Sequence, residues 1–242
     1  MSESIDARER LIVALDVSNA EAARKIVAAV GSSASTYKVG MQLYTAEGPA
    51  MVRELVSSGR RVFLDLKFHD IPNTVGAAVR EAAGLGVTML TVHAAGGGKM
   101  LRAAAEAAEK VNPKTLVLAV TVLTSLNGAD LETTGVRGGV SEQVLRLAAM
   151  ALANGYKGLV ASAHECPALR QEFGNDFVIV TPGVRPAGAG HDDQARVVTP
   201  AEAIAAGASH IVVGRPITEA SDPAAEARAI LGQIAAEAVS VS

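Results

Sequence analysis

Two carboxylates and an ammonium crowd into one short segment of the chain. Residues 65–74 read DLKFHDIPNT. Because side chains alternate between the two faces of an extended strand, Asp65 and Lys67 project to the same side. Asp70 follows where the chain leaves the strand, ahead of Pro72, a residue type favoured in the first turn of a helix. Carboxylates gathered around one ammonium predict a catalytic site.

The strand that carries this segment separates its side chains by character. One face has Arg61, Phe63, Asp65 and Lys67, and the other has Val62, Leu64 and Leu66. An apolar outer face can pack under helices, and a charged inner face suits the open end of a barrel. The pattern favours a barrel lumen over the alternative, a surface ion pair at a strand end, which contributes little to stability.

Composition limits the class of protein. The 242 residues are 49% hydrophobic and carry a net charge of −3 from 22 basic and 25 acidic residues. A chain of this length can bury one sizeable core, so we predict one domain over residues 1–242, with residues 1–10 as a short polar segment. The balanced charge and the aromatic content of 3% argue against nucleic acid or an anionic membrane as a partner. Small-molecule chemistry fits better.

The sequence also bears on location. Residues 1–10 lack the apolar stretch of a secretory signal, and no apolar run is long enough to span a bilayer. The single cysteine, Cys166, leaves no internal disulfide and is compatible with a reducing cytosol, so we predict a cytoplasmic protein. Cys166 has no activating motif beside it, and we expect an unreactive thiol.

Apolar runs alternate with Ala-rich segments along the chain. Strands are predicted near residues 11–16, 36–41, 61–67, 88–93, 115–123, 158–162, 177–181 and 209–214. Helices are predicted over residues 19–30, 45–58, 73–84, 98–110, 141–154, 164–173, 200–206 and 223–236. Eight βα units predict an α/β fold, a (β/α)₈ TIM barrel. The alternative, a doubly wound sheet, usually has a Gly-rich dinucleotide loop after its first strand, which this sequence lacks.

In such a barrel the active site lies at the carboxyl ends of the strands. The polar or glycine residues at those ends are Asp16, Lys38, Asp65, Lys67, His93, Thr124, Ser125, Ser162, Gly214 and Arg215. His93 has the chemistry of a general base, but no carboxylate is spaced to form a dyad with it. We therefore expect a structural role for His93.

A phosphate site is predicted after the seventh and eighth strands, where such barrels often bind phosphate. The chain reads TPGVRP over 181–186 and VGRP over 213–216. Gly214 lets an oxyanion approach the backbone, and Arg215 offers a bidentate fork. The alternative is two surface arginines in turns.

A loop between these motifs reads AGAGHDDQAR over residues 187–196. Its composition is typical of an active-site lid, and it also fits a slack surface loop. Closure over a bound phosphate would exclude water and bring Gln194 inward, so that binding energy at a remote group organises the reacting centre.

Together these motifs resemble the bacterial type of the orotidine 5′-monophosphate decarboxylase family. The resemblance covers nearly the whole chain and rests on residues 14–16, 38–40, 63–74, 92–94, 121–125, 180–186 and 214–216. The string DLKFHDIPNT is highly specific. The resemblance implies loss of CO₂ from orotidine 5′-monophosphate, without cofactor or metal, to give uridine 5′-monophosphate in the last step of its synthesis.

The resemblance also implies roles for individual residues. The implied catalytic residues are Lys38, Asp65, Lys67 and Asp70. The implied substrate-binding residues are Asp16, Lys38, Thr74, Thr124, Ser125, Arg185, Gln194, Gly214 and Arg215. Lys67 is the implied proton donor, and Asp70 and Thr74 reach into the site of the partner subunit in a homodimer. Asp16 is implied to bind a ribose hydroxyl, Thr124 the pyrimidine, and Arg185, Gln194, Gly214 and Arg215 the phosphate.

Elementary chemistry agrees with these roles. Decarboxylation leaves negative charge on a ring carbon, and a fixed ammonium stabilises that transition state more than the spread-out ground-state anion. Lys67 is that ammonium in this interpretation, and Asp65 orients it. Neighbouring carboxylates favour the protonated amine, which can then give its proton to the carbanion.

Two other functions stay open. One is a Mg²⁺-dependent phosphosugar decarboxylase or aldolase, similar to the keto-gulonate-phosphate decarboxylases and hexulose-phosphate synthases. Those relatives place a metal-binding acid at the end of the second strand region, where Lys38 would repel a divalent ion. The other is a non-catalytic phosphosugar-binding protein, which does not explain why two lysines and two carboxylates should converge.

Overall fold

The computed structural model describes residues 7–186 and 198–240, and in this part of the chain eight parallel strands close into a barrel. The strands are β1 (Leu11–Ala14), β2 (Thr36–Gly40), β3 (Arg61–Phe68), β4 (Met89–His93), β5 (Leu116–Val120), β6 (Gly158–Val160), β7 (Val178–Thr181) and β8 (His210–Val213). Each strand pairs with the next, and β8 pairs with β1. The predicted (β/α)₈ barrel is confirmed.

Helices surround this barrel. They are α1 (Ala7–Arg10), α2 (Ala20–Val30), α3 (Met41–Glu47), α4 (Pro49–Ser57), α5 (Pro72–Gly84), α6 (Gly97–Val111), α7 (Gly128–Thr133), α8 (Val140–Ala153), α9 (Cys166–Phe173), α10 (Pro200–Ala205), α11 (Arg215–Thr218) and α12 (Pro223–Ser240). Short 3₁₀ turns lie at Gly31–Ser33 and Ala94–Gly96. Within the described residues, no helix is long and apolar enough to cross a bilayer.

Some helical segments differ from the sequence prediction. The helix expected over 45–58 is two helices, because Gly48 takes a φ of +61° and Pro49 then starts α4. Helix α7 was not predicted; it begins at a capping box in which Asn127 and Asp130 bond each other's backbone. The polar segment 1–10 is also not wholly irregular, since its last four residues form α1.

The strands divide the apolar residues into two layers. The cluster inside the barrel consists of Ile12, Ala14, Phe63, Met89, Leu118, Val120, Val160, Val180 and Val212. Val62 and Leu64 belong to the larger cluster between strands and helices. The alternation predicted for β3 is therefore confirmed over residues 62–64, and the inward face leads from an apolar lumen to the charged end of the barrel.

Polar contacts close the opposite, amino-terminal end. Arg61 at the start of β3 lies 2.8 Å from Glu9. Arg10 donates to the backbone oxygens of Ala208 and Ser209 at 2.8 and 3.0 Å. These contacts tie α1 to the strand starts, which leaves the carboxyl ends as the open mouth.

Candidate active site

Asp65 and Lys67 on β3 form a close charged pair at this mouth. The Lys67 ammonium lies 2.8 Å from both carboxylate oxygens of Asp65. The two side chains are 27% exposed for Lys67 and 14% exposed for Asp65. The expectation that both share one pocket is confirmed, and partial burial strengthens their interaction relative to a surface pair.

The backbone that carries this pair is irregular. Strand β3 pairs with β4 at Leu64↔Leu90 and again at Phe68↔Val92, with a shift of register between them. The three residues of β3 from Asp65 to Lys67 are thus opposite a single residue of β4, which is the geometry of a bulge. Among the described residues, Lys67 is the only non-glycine with a positive φ, at +50°.

A second lysine extends the charged group. Lys38, which points inward from β2, places Nζ 2.7 Å from Asp16 Oδ1 and 3.9 Å from Asp65 Oδ2. The charges therefore alternate along the mouth from Asp16 through Lys38 and Asp65 to Lys67. The Asp16 side chain is 54% exposed, whereas that of Lys38 is 11% exposed, so the row begins at an exposed carboxylate and continues with a largely buried ammonium.

Gly40 provides room for this row. A Cβ at position 40 would lie 2.8 Å from Lys38 Nζ and 2.9 Å from Asp16 Oδ1. Both distances are shorter than van der Waals contact, so a side chain here would push the two charged groups away. The glycine at the end of β2 is therefore part of how the site is built.

The charged row borders a cavity of about 620 Å³. Its apolar surface comes from the lumen side chains Phe63, Val120, Val160, Val180 and Val212. Residues that follow other strands complete the lining, and they include Thr124, Arg185, Gly214, Arg215 and Glu219. A cavity that combines apolar walls with converging polar groups is typical of a small-molecule site.

The arginines and glycines after β7 and β8 lie in this same cavity. Gly183 turns the chain with a φ of +78°, a conformation that suits glycine. Arg185 is buried, and its backbone N–H donates to the carbonyl of Val198 at 3.0 Å. Gly214 follows β8, and α11 begins at Arg215. The predicted phosphate motifs therefore converge on one side of the cavity.

Not all predicted residues meet here. Of those that the structure describes, Asp70, Thr74 and Ser125 do not line the cavity. Asp70 and Thr74 are exposed, and Asp70 Oδ1 accepts a hydrogen bond from the backbone N–H of Ile71. Gln194 and the loop 187–196 lie outside the described residues. The roles of these residues stay predictions.

His93 and Cys166, for which the sequence predicts no catalytic role, are partly and fully buried, respectively. The rings of His69 and His93 stack with centroids 5.3 Å apart, and His93 Nδ1 accepts from the backbone N–H of Ala95 at 3.3 Å. Burial lowers the pKa of His93, with further lowering from the nearby His69 and Lys67. Cys166 is buried, and burial raises the pKa of its thiol. These surroundings fit a structural His93 and an unreactive thiol.

Thr91 is the main residue that the sequence did not single out. It is fully buried on β4 and bonds both members of the Asp65–Lys67 pair. The sequence does contain a signal for this residue. Positions 89, 91 and 93 share one face of β4, and the polar Thr91 lies between Met89 and His93 on that face. Within residues 7–186 and 198–240, no group of three or more His, Cys, Asp or Glu side chains could hold a metal ion.

Comparison with known proteins gives consistent matches. The family model described as "Orotidine 5'-phosphate decarboxylase / HUMPS family" matches residues 9–230. The orotidine 5′-phosphate decarboxylase of Halorhodospira halophila is 52% identical over 233 residues, which are 96% of this chain and 99% of the relative. The enzyme of that name from Moorella thermoacetica is 53% identical over 234 residues, 94% of this chain and 93% of the relative.

A solved structure agrees with these sequence matches. The crystal structure of orotidine 5′-phosphate decarboxylase from Lactobacillus acidophilus superposes with a TM-score of 0.85 at 41% identity. The match covers 93% of this chain and 99% of that one. The similarity therefore extends over the whole barrel, including the strand ends that carry the charged row.

Proposed function

The chain belongs to the orotidine 5′-phosphate decarboxylase / HUMPS family, and we propose that it converts orotidine 5′-monophosphate to uridine 5′-monophosphate and CO₂ as a carboxy-lyase of pyrimidine biosynthesis. The observation that carries this proposal is the Lys67 ammonium held 2.8 Å from Asp65 in a cavity that combines apolar lumen side chains with polar strand-end groups. Relatives that bear the decarboxylase name are 52 and 53% identical over nearly the whole chain.

The reaction requires a group that stabilises the electron pair left on the pyrimidine ring and a donor for one proton. When the bond between C6 of the pyrimidine and its carboxylate breaks, the electron pair stays on C6 and CO₂ departs. The Lys67 ammonium stabilises the negative charge on C6 and then transfers a proton to that carbon, which leaves Lys67 neutral until solvent reprotonates it. A fixed charge that interacts most strongly in the transition state raises the rate.

The environment of Lys67 supports this role. Asp65 contacts the ammonium with both oxygens, and Lys38 lies 3.9 Å beyond Asp65. A preorganised array of this kind needs little reorganisation as charge develops, which matters because each tenfold in rate requires about 1.4 kcal/mol. The substrate carboxylate would also lie beside Asp65, and the repulsion between these two negative charges would end as CO₂ leaves.

Other residues that line the cavity suit the phosphate, the ribose and the pyrimidine of the nucleotide. Arg185, Gly214 and Arg215 line its polar side and fit a phosphate, since guanidinium groups bind phosphate oxygens in bidentate fashion. Asp16 is 54% exposed and can accept from a ribose hydroxyl while it holds Lys38. Thr124 lines the cavity and offers a hydroxyl to the pyrimidine.

A homodimer with shared sites belongs to the same proposal. Asp70, on the segment that joins β3 to α5, and Thr74, in the first turn of α5, are both exposed at the mouth of the barrel. Ile71 beside them is 66% exposed and Met41 after β2 is 57% exposed, which are large values for apolar side chains. In the proposed dimer this surface is buried against a second copy, and Asp70 lies beside the partner's Lys67.

The proposal also includes a cytoplasmic location for the protein.

The metal-dependent alternative is disfavoured by Lys38. A divalent ion at the end of β2 would lie beside an ammonium that already bonds Asp16 at 2.7 Å and faces Asp65 at 3.9 Å. Mg²⁺ prefers carboxylates and water as ligands, not ammonium groups. Asp16 and Asp65 are therefore already engaged by lysine.

The direct test is decarboxylation of orotidine 5′-monophosphate in excess EDTA, followed by the change in pyrimidine absorbance. We expect conversion to uridine 5′-monophosphate at a rate that EDTA does not alter. A Lys67→Ala protein purified in parallel reports any contaminating host enzyme. Lack of turnover would refute the proposal, and activity lost in EDTA but restored by Mg²⁺ would favour the metal-dependent alternative.

A further inference from the structure

The residue of β4 opposite the β3 bulge has a role of its own. Building on the proposed function, we infer that Thr91 is a positioning residue that holds Lys67 and Asp65 in their reactive arrangement. Thr91 is fully buried, with 0% of its surface exposed. It therefore acts on the substrate only through the two residues it bonds.

The hydrogen bonds of Thr91 have one possible direction. The backbone N–H of Lys67 donates to Thr91 Oγ1 at 2.9 Å, so this oxygen is an acceptor in that contact. A threonine hydroxyl has one hydrogen to donate. The ionised Asp65 carboxylate can only accept, so the Thr91 hydroxyl gives its hydrogen to Asp65 Oδ1, 3.0 Å away.

These contacts close a ring. From the Lys67 backbone the ring runs to Thr91, then to Asp65 Oδ1, and returns to Lys67 through its Nζ, which lies 2.8 Å from the same oxygen. Both ends of the Lys67 residue are thus tied to one Thr91–Asp65 unit. The ring fixes where the ammonium lies relative to the strand.

The backbone conformation at Lys67 needs support from this ring of hydrogen bonds. A φ of +50° is unfavourable for a residue with a Cβ and persists only where surrounding contacts hold it. The bulge also takes the Lys67 N–H out of the regular ladder between β3 and β4. Thr91 Oγ1 supplies the acceptor that this N–H needs, and so supports the strained conformation that directs the lysine into the cavity.

Thr91→Val tests the inference, because valine keeps the shape of threonine and removes the hydroxyl. We expect kcat to fall roughly 10- to 100-fold, since small displacements of a reacting group have effects of this size. The dissociation constant of uridine 5′-monophosphate should stay within about threefold, because the phosphate and ribose contacts are untouched. Thr91→Ser keeps the hydroxyl and should recover most of kcat.

Thr115→Val is the matched control at the opposite end of the barrel. Thr115 is also buried, and its hydroxyl donates to the backbone oxygen of Val87 at 2.8 Å, remote from the charged row. We expect this variant to lose thermal stability without a change in kcat. If Thr91→Val lowers kcat no more than Thr115→Val does, or if Thr91→Ser fails to recover activity, the positioning role is wrong.

A crystal structure of Thr91→Val makes the test independent of activity. We expect Lys67 to leave its positive φ or its ammonium to leave the 2.8 Å contact with Asp65. Retention of both would overturn the inference whatever reaction the wild-type protein catalyses. Lack of turnover by the wild type, with the displacement present, would instead count against the proposed function alone.

Discussion

Lys38 Nζ lies 2.7 Å from Asp16 Oδ1, and this contact joins an exposed carboxylate to the buried charges of the barrel mouth. In the proposed function it couples the ribose end of the substrate to the reacting end, because Lys38 also faces Asp65. The geometry of the contact depends on the lack of a side chain at position 40.

Gly40→Ala should therefore impair catalysis without loss of the fold. The new Cβ would lie 2.8 Å from Lys38 Nζ and displace the ammonium from Asp16. We expect kcat/KM to fall about tenfold or more, equivalent to ~1.4 kcal/mol. Gly128→Ala is the control, since a Cβ there meets nothing within 4 Å. Equal activity of the two variants would contradict the steric account.

Arg215→Ala should weaken the use of substrates that carry a phosphate. We expect kcat/KM for orotidine 5′-monophosphate to fall roughly 10- to 100-fold, the range for loss of a charged hydrogen bond. Orotidine, which lacks the phosphate, should react slowly and change little with this mutation. An equal loss on both substrates would show that Arg215 acts on the pyrimidine or on the barrel.

The shared-site proposal predicts complementation between two inactive chains. In a mixed dimer of Lys67→Ala and Asp70→Asn subunits, one site has both changes and the other has neither. Random exchange under C₂ pairing should restore roughly a quarter of wild-type activity. Size-exclusion chromatography with light scattering checks the dimer. If subunits demonstrably exchange and activity does not return, Asp70 serves its own chain.

His210 makes folding stability depend on pH. Its side chain is buried at the start of β8, and Nδ1 has no hydrogen-bond partner among the described residues. Burial, together with the charges of Arg10 and Arg61, lowers the pKa of His210 to about 4. Between that value and the ordinary value of 6.5, the unfolded chain binds a proton that the folded chain does not.

This contribution is complete above about pH 6.5 and is lost as the pH falls to about 4, with a total on the order of 3 kcal/mol. His210→Leu should flatten the dependence of unfolding free energy on pH over this window, as measured by denaturant titration. The exposed His164, changed to Gln, is the control and should keep the wild-type slope. An unchanged slope in His210→Leu would show that His210 does not titrate in this way.

Much of the fold could be predicted because it depends on local pattern. The eight strands followed from apolar runs, and the inward position of Phe63 and Asp65 followed from strand alternation. The break between α3 and α4 also has a local signal, Gly48 followed by Pro49. This signal was missed because the helix-forming residues on both sides made one helical stretch.

Other features depend on contacts between distant segments. The bulge at Lys67 arises from the register between β3 and β4, which no single segment of sequence specifies. For the same reason Thr91 was not recognised, since its function depends on the two residues opposite it. The need for glycine at position 40 likewise appears only when the side chains of Asp16 and Lys38 are placed.

The most direct test of the central claim is the turnover of orotidine 5′-monophosphate by Lys67→Ala under conditions where uridine 5′-monophosphate binding is measured on the same sample. Loss of the ammonium removes the group that acts on the transition state and leaves the phosphate contacts intact. We predict product binding close to wild type and turnover lower by at least 10²- to 10³-fold, the usual cost of a lost charge-stabilising group. Turnover within about tenfold of wild type, a difference of only ~1.4 kcal/mol, would contradict the assignment of Lys67 as proton donor.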